Sequence, residues 1–225
     1  MRVWVTRTEP GASRTAEKLR ALGHEPVVAP LLEVHVLPAE IDLDGVGALA
    51  FTSANGVRAF AERDPDPAFG RALPVFTVGD ATAAAARKAG FADVASAEGD
   101  LDALADLIAA EAPRIKGAVL APGPREPAGD LPRALAAQGV IARSMALYET
   151  LPVFPRGLGT VDAVLIHSPK AAERLAAVLG GKTGPVAYCI SPAAAAPLAG
   201  HPFARVEWAE RPDEDSLLDL LAPAP

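Results

Sequence analysis

Residues 48–63, ALAFTSANGVRAFAER, and residues 163–179, AVLIHSPKAAERLAAVL, follow one pattern, and this repeat decides the fold. Each copy begins with apolar residues typical of a buried strand, passes through a short turn with a serine, and continues with helical periodicity. The two turn serines are Ser53 and Ser168. A strand–turn–helix unit that occurs twice indicates a duplicated α/β protein built on parallel sheets.

The repeat extends outward from these two segments over most of the chain. Short β-branched runs alternate with Ala- and Leu-rich helical segments, as expected of βαβ units. RVWVT predicts the first strand, residues 13–22 the first helix, and PVVAPLLEV one further extended segment. The aligned pairs are 75–91 with 186–203, 98–108 with 210–221 and, more weakly, 2–34 with 117–150.

Composition narrows the class of protein. The chain has 225 residues, half of them hydrophobic, which is enough to bury a core in one large domain or two smaller ones. Its net charge of -7 argues against a general nucleic-acid binder, which needs a basic face. Arg7 and Glu9 are charged residues at positions where a signal peptide would have its apolar segment, and no apolar run is long enough to span a membrane. We therefore expect a cytoplasmic protein that does not bind membranes. The single cysteine, Cys189, is predicted to lie in the core.

Motifs for common cofactors are missing from the sequence. No GxxxxGK[ST] phosphate loop occurs, and the GxGxxG fingerprint does not follow the first strand, which disfavours a nucleotide cofactor. The histidines have neither metal-ligand spacing nor nearby cysteines, so no metal site is expected. We therefore predict that the protein uses no cofactor. The histidines are His24, His35, His167 and His201.

Six strand-to-helix turns, three in each half, are rich in Ser, Thr, Gly or Pro. Such turns direct backbone N–H groups outward, and the helix dipole adds partial positive charge, so each can bind a carboxylate or phosphate. The hydroxyls also fit ordinary helix caps, and a cap can share its turn with a ligand. The substrate-binding candidates in these turns are Ser53, Asn55, Gly79, Thr82, Gly123, Ser168, Lys170 and Ser191.

Basic residues and tyrosines add a few candidates. Arg7 closes the first strand and is the preferred ligand for a carboxylate. Arg125 and Lys170 also lie in or near turns. Arg58, by contrast, lies far enough along its helix that we expect it to face water. Tyr188 falls inside a buried strand and is expected to pack there. Tyr148 ends a strand in LYET, where its protonated phenol could donate a proton or could pack at a domain boundary.

These turns, in this order, resemble the uroporphyrinogen-III synthase family over the full length. The segments that carry the resemblance are VTRTEPGASRTAEKLRALGHEPVVAPLLEV, LAFTSANGVRAF, VFTVGDATAAAARKAGF, LYET and AERPDEDSLLDLL. The chain departs from the family pattern at residues 191–194, where Ser-Pro-Ala-Ala replaces a Gly-Pro-Thr-Thr-like turn, so threonine hydroxyl contacts are not expected there.

The resemblance implies an α/β fold of two similar three-layer domains with parallel sheets, joined by a two-stranded extended linker, with the active-site cleft between them. One domain would comprise residues 1–34 plus 152–225 and the other residues 38–147, with linker strands at 35–37 and 148–151. Two strands form a semi-flexible hinge, so we expect the domains to close on the substrate.

By the same resemblance the protein is a cyclising hydro-lyase of tetrapyrrole biosynthesis. Its substrate is hydroxymethylbilane, an open chain of four pyrroles with eight carboxylates, and its product is uroporphyrinogen III with ring D inverted. Positioning by many donors is the main task, and Tyr148 matches the family tyrosine that helps hydroxide to leave. We expect a monomer, because nothing in the sequence indicates a coiled coil or a long exposed apolar helix, and the function allows transient contact with hydroxymethylbilane synthase.

Two other function classes stay open at this point. Duplicated α/β halves around a cleft also describe a non-catalytic small-molecule or tetrapyrrole sensor, and no feature of the sequence excludes it. A nucleotide-dependent transferase is less favoured because the phosphate motifs are missing.

Overall fold

The computed structural model describes residues 1–179 and 181–221, and the chain divides into two compact units. Unit 1 comprises Met1–Glu33 and Leu151–Pro225, and unit 2 comprises Val34–Thr150. The predicted carboxyl end of the first domain, at residue 225, lies outside the described residues.

Helices and strands are interspersed along the described chain. The strands are β1 (Arg2–Val5), β2 (Glu25–Val28), β3 (Leu32–Val36), β4 (Val46–Phe51), β5 (Val75–Thr77), β6 (Val94–Ser96), β7 (Ala118–Pro124), β8 (Ala142–Pro152), β9 (Ala163–Ile166), β10 (Gly184–Cys189) and β11 (Phe203–Trp208). The helices are α1 (Gly11–Ala21), α2 (Ala54–Arg63), α3 (Pro67–Gly70), α4 (Asp80–Lys88), α5 (Leu101–Glu111), α6 (Leu131–Ala137), α7 (Pro169–Leu179), α8 (Pro192–Ala195) and α9 (Glu214–Asp219).

Unit 1 is built on a sheet in the order β11-β10-β9-β1-β2, and all of its pairings are parallel. Both faces of this sheet are covered, which is why its central strands are continuous apolar runs. On β1, Trp4 packs toward α7 and α8, while Val3 and Val5 pack toward α1 and α9. Cys189 is buried in the Trp4 cluster, which confirms its prediction as a core residue.

Unit 2 is built on a sheet in the order β3-β8-β7-β4-β5-β6, with parallel pairing from β8 through β6. Phe51, Phe60 and Phe91 form an aromatic cluster under α2 and α4, with ring centroids 5.9–6.1 Å apart. Phe76 packs on the opposite face with Ile108 of α5. Each unit is therefore a three-layer α/β structure on a sheet that is parallel in unit 1 and parallel from β8 to β6 in unit 2, which confirms the predicted fold class.

Several local predictions differ from the structure. PVVAPLLEV, predicted as one extended segment, forms β2 and β3, which belong to different sheets. Pro30 lies between them and has no N–H to donate to a neighbouring strand. The next residue, Leu31, donates its amide to the Thr6 carbonyl and accepts at its own carbonyl from the Val153 amide. The sequence pattern also missed β6 and the one-turn helix α3, both too short to show periodicity.

The boundaries between the two units fall inside strands rather than in loops. Glu33 and Val34 are neighbours within β3, and Thr150 and Leu151 are neighbours within β8. β8 is eleven residues long, so Tyr148, which was predicted to end a strand, lies inside one. In the part of the chain that the structure describes, no helix combines the length and apolarity that a bilayer span requires.

Candidate functional site

The sheet order of unit 2 places three predicted turns side by side. β7, β4 and β5 are neighbours and parallel, so the turns after them lie along the same carboxyl edge of the sheet. Gly123 lies near the end of β7, Ser53 follows β4, and Gly79 follows β5. The carboxyl edge of an open parallel sheet is the usual place for a ligand.

Ser53 begins α2 as its N-cap. Its backbone is extended (φ −157°), and its hydroxyl oxygen accepts a hydrogen bond of 3.1 Å from the Asn55 amide. This confirms that Ser53 fits the cap interpretation. The same hydroxyl forms a second hydrogen bond, with the phenol of Tyr148 on β8. The cap therefore fixes the tyrosine at the amino end of α2.

Tyr148 is buried, with 4% of its surface exposed. Burial raises the pKa of its phenol, while the hydrogen bond with Ser53 and the positive charge of Arg58 lower it in part. The phenol therefore carries its proton at neutral pH, and both of the groups that favour its ionised form lie beside it. This arrangement is suited to giving up a proton and taking it back.

Arg58 does not face water as predicted. Its side chain is half-buried and donates through Nη2 to Oδ1 of Asn55, and its charge acts on the phenol of Tyr148. The prediction failed because residue 58 is one helical turn after residue 55, so the two share a face of α2 and Arg58 reaches back to the amino end. Arg58 is thus a site residue that the sequence analysis missed.

Gly79 and Thr82 lie in the first turn of α4. Gly79 is the N-cap, and its carbonyl accepts from the Thr82 amide at 3.0 Å. Thr82 itself is buried, with 6% exposed. No atom lies within 4 Å of a Cβ placed on Gly79 or on Gly123, and neither residue has a positive φ. The protein fold does not require glycine at either position, so the space beside each is available to a ligand.

Adding side chains at these two glycines should therefore affect binding more than folding. We expect Gly79→Ala and Gly123→Val to raise the KM for substrate about fivefold, the effect of losing about 1 kcal/mol of binding free energy, with the melting temperature within a few degrees of wild type. Calorimetry and steady-state kinetics on both variants measure the two effects. A large fall in melting temperature, or an unchanged KM, would contradict a ligand beside these turns.

A cavity of about 540 Å³ opens on the other face of the unit 2 sheet, under α5 and α6. Gly123 and Thr52 line it together with Leu101, Leu131 and Arg125. Arg125 pairs with Glu149 at 2.6 Å, and its amide donates to the Tyr148 carbonyl at 2.7 Å. Gly123 is thus the predicted site residue that borders this cavity, whereas Tyr148 packs on the α2 face.

Unit 1 has a similar row of turns. β10, β9 and β1 are adjacent and parallel, and Ser191, Ser168 and Arg7 follow these strands. The Ser168 hydroxyl accepts from the Ala171 amide and the Ser191 hydroxyl from the Ala194 amide, each at 3.2 Å, so both serines are helix caps. Lys170 is exposed at the start of α7.

Arg7 is held by a cluster that the sequence analysis did not find. Its Nη1 donates to Oε2 of Glu214 at 2.6 Å, and the Glu214 carboxylate also accepts from the Thr15 hydroxyl and contacts Nε2 of His167 at 3.2 Å. We call Arg7, Thr15, His167 and Glu214 the Glu214 cluster. Glu214 is the first residue of α9, so the acidic start of that helix was the available indication in the sequence.

The cluster holds one ionised pair and a neutral histidine. Burial opposes ionisation of Glu214, but hydrogen bonds from His167 and Thr15 and the charge of Arg7 lower its pKa to about 2. Burial also lowers the pKa of His167, although the hydrogen bond with Glu214 and the charge of that carboxylate raise it in part. Among residues 1–179 and 181–221, no three His, Cys, Asp or Glu side chains are grouped as a metal site.

These pKa directions predict that unit 1 loses stability in acid. Below pH ~6.5 the unfolded chain takes up a proton at His167 that the folded chain resists, and the stabilisation from ionised Glu214 is lost as the pH falls from ~4.5 toward 2. As the pH falls below ~4.5, the wild-type protein should lose about 2 kcal/mol more of its free energy of unfolding than Glu214→Gln does. Urea unfolding followed by tryptophan fluorescence reports this unit, since Trp4 and Trp208 both lie in it. Equal pH slopes in variant and wild type would contradict the assignment.

The family model for uroporphyrinogen-III synthase HemD matches residues 13–219 of this chain. The chain belongs to the uroporphyrinogen-III synthase family. The match includes every predicted site residue except Arg7, and it confirms the resemblance that the turn segments indicated. No curated protein sequence matches the chain.

Solved uroporphyrinogen-III synthase structures share the fold over nearly the whole chain. The synthetase from Helicobacter pylori 26695 has a TM-score of 0.68 and 19% identity, covering 98% of this chain and 97% of that one. A mutant of the synthase from the extremely thermophilic bacterium Thermus thermophilus has a TM-score of 0.57 and 22% identity, with the same coverage. At these identities the likeness establishes the fold, while the family model carries the functional class.

Proposed function

We propose that this chain converts hydroxymethylbilane to uroporphyrinogen III, as a cyclising hydro-lyase that inverts ring D. The observation that carries the proposal is the buried Tyr148 phenol, which is protonated at neutral pH and held by the Ser53 cap at the amino end of α2. Family membership supplies the substrate class, and the phenol supplies the proton that the first step needs.

The first step is the loss of the hydroxyl group. As the carbon–oxygen bond breaks, Tyr148 donates its proton to the departing oxygen, water leaves, and the pyrrole, which keeps its N–H, becomes an electrophilic azafulvenium cation. The phenolate that remains is stabilised by the hydrogen bond with Ser53 and by the charge of Arg58, the two influences that lower its pKa. The proton that the macrocycle releases on ring closure can then restore the phenol.

The remaining work is positioning. Without guidance the electrophile would react head to tail and give the symmetric isomer, so the enzyme must hold the chain in the one conformer that leads through a spiro intermediate. Strand-to-helix turns offer several backbone N–H groups and helix dipoles for the carboxylates of the substrate. The residues that we assign to this role are Ser53, Asn55, Gly79, Thr82, Gly123, Arg7, Ser168, Lys170 and Ser191.

The enzyme acts in the cytoplasm as a monomer on a small-molecule substrate, without metal or redox cofactor, and contacts hydroxymethylbilane synthase at most transiently. Gel filtration of the purified chain, alone and mixed with that enzyme, tests the monomer and the contact.

A coupled assay tests the activity. Hydroxymethylbilane is generated in situ, the protein is added, the products are oxidised, and type I and type III porphyrins are separated by chromatography. We expect an excess of type III over the spontaneous type I product. Type I alone, formed in the presence of folded protein, would instead support the alternative of a non-catalytic tetrapyrrole-binding protein.

A further inference from the structure

Glu214 connects four parts of unit 1 that are distant in sequence. It begins α9, while its partners Arg7, Thr15 and His167 come from the end of β1, from α1 and from the end of β9. Each partner donates a hydrogen bond toward the carboxylate: Nη1 of Arg7 at 2.6 Å, the Thr15 hydroxyl, and Nε2 of His167 at 3.2 Å. Three donors from three elements fix the orientation of the carboxylate, and through it the orientation of Arg7.

The guanidinium of Arg7 uses only one of its nitrogens in this cluster. Within the described ranges, no hydrogen bond joins Nε or Nη2 to another residue, and 31% of the side chain is exposed. These two nitrogens form one edge of the guanidinium, which matches a carboxylate in the bidentate geometry. The donors of Nε and Nη2 are thus left for an anion.

Gly11 makes room for this arrangement. A Cβ at residue 11 would lie 2.5 Å from Nε, 2.8 Å from Cζ and 2.9 Å from Nη2 of Arg7, so the guanidinium occupies the space of the missing side chain. Gly11 is the first residue of α1, whose first turn contains no acidic residue. The helix end carries partial positive charge, which the Glu9 carboxylate offsets in part by accepting from the Ser13 amide, and the guanidinium is stabilised there by a further anion in direct contact with it. Glu214 provides it.

We propose that Glu214 is a positioning residue, which holds Arg7 over Gly11 with its Nε–Nη2 edge presented to a substrate carboxylate. This inference rests on the proposed function, since it assumes a polycarboxylate substrate. Glu214 acts through Arg7 and does not itself touch the substrate. His167 and Thr15 hold the Glu214 carboxylate in the orientation that Arg7 requires.

A double-mutant cycle tests whether Glu214 acts through Arg7. Arg7→Ala, Glu214→Gln and the double variant are compared for KM and kcat with freshly generated hydroxymethylbilane. We expect KM to rise about tenfold in Arg7→Ala and about fivefold in Glu214→Gln, with kcat within about twofold of wild type. The double variant should match Arg7→Ala, because a positioning residue has nothing left to position.

Effects on KM that multiply in the double variant, or an unchanged KM in Glu214→Gln, would overturn the inference while leaving the proposed function intact. A wild-type protein that forms no type III porphyrin would instead overturn the proposed function. Gly11→Ala provides an independent route, because its Cβ displaces Arg7 while leaving Glu214 in place. It should raise KM as Glu214→Gln does, and an unchanged KM in a folded Gly11→Ala protein would also contradict the inference.

Asp215→Asn is the matched control. Asp215 is the residue next to Glu214, and it pairs with Lys18 at 2.6 Å, so this exposed ion pair also joins α9 to α1. Among the described residues it forms no hydrogen bond or ion pair with Arg7. A general loosening of α9 would raise KM in both variants, whereas the positioning role predicts a change in Glu214→Gln alone.

Discussion

Replacing Tyr148 with phenylalanine should lower kcat about 100-fold while the product remains type III. The substitution removes the proton donor but keeps the ring, which packs in the core beneath α2. Ser53 keeps its hydrogen bond from the Asn55 amide, so the cap of α2 is retained. Isomer choice should persist because it depends on how the turns position the chain rather than on the proton. Single-turnover kinetics with analysis of the porphyrin isomers measures both.

Tyr188→Phe is the control for this experiment. Tyr188 is also buried on a strand, and its phenol accepts from Arg205 at 3.2 Å, so the change removes a comparable hydroxyl. It lies in the core of unit 1, as the sequence predicted, and it should leave kcat unchanged. A Tyr148→Phe enzyme with the single-turnover rate of wild type would exclude the phenol as the acid.

The sequence predicted the fold because the fold depends on short-range pattern. Apolar runs, serine turns and helical periodicity recur within each repeat, and they specify parallel strands with helices on both faces. The carboxyl-edge turns followed from the same pattern. The error at PVVAPLLEV arose where two apolar strands of different sheets are separated by only a few residues, so composition could not distinguish one strand from two.

Side-chain contacts between distant residues could not be predicted in the same way. Glu214 and Arg7 are 207 positions apart, and nothing in either local sequence indicates that α9 and β1 meet. The contact depends on Leu217 of α9 packing beside Val3 and Val5, which is a property of the assembled core. Arg58 was missed for a different reason, because it reaches back to Asn55, one helical turn earlier, and its charge acts on Tyr148, which comes from a strand distant in sequence.

The close approach of α2 to β7 links the stability of unit 2 to its site. A Cβ on Gly56 would lie 2.7 Å from the Pro122 carbonyl oxygen, so a larger residue must push α2 away from the sheet. Ser53 begins this helix, and a displaced helix would move its hydroxyl away from Tyr148. We expect Gly56→Val to reduce the free energy of unfolding by about 3 kcal/mol and to lower kcat on the order of 30-fold.

Gly47→Val separates these two effects. A Cβ on Gly47 would lie 2.6 Å from the Lys116 carbonyl carbon, which is an equally close backbone contact in the same sheet. Gly47, however, lies at the amino end of β4, whereas Ser53 follows the carboxyl end of the same strand. The strain that Gly47→Val introduces therefore arises at the end of β4 opposite the site. Both variants should be destabilised to a similar extent in urea, but kcat per folded molecule should fall only in Gly56→Val. An equal loss of kcat in both would mean that stability, rather than the position of the Ser53 cap, limits turnover, and the link between α2 and the Tyr148 phenol would have to be abandoned.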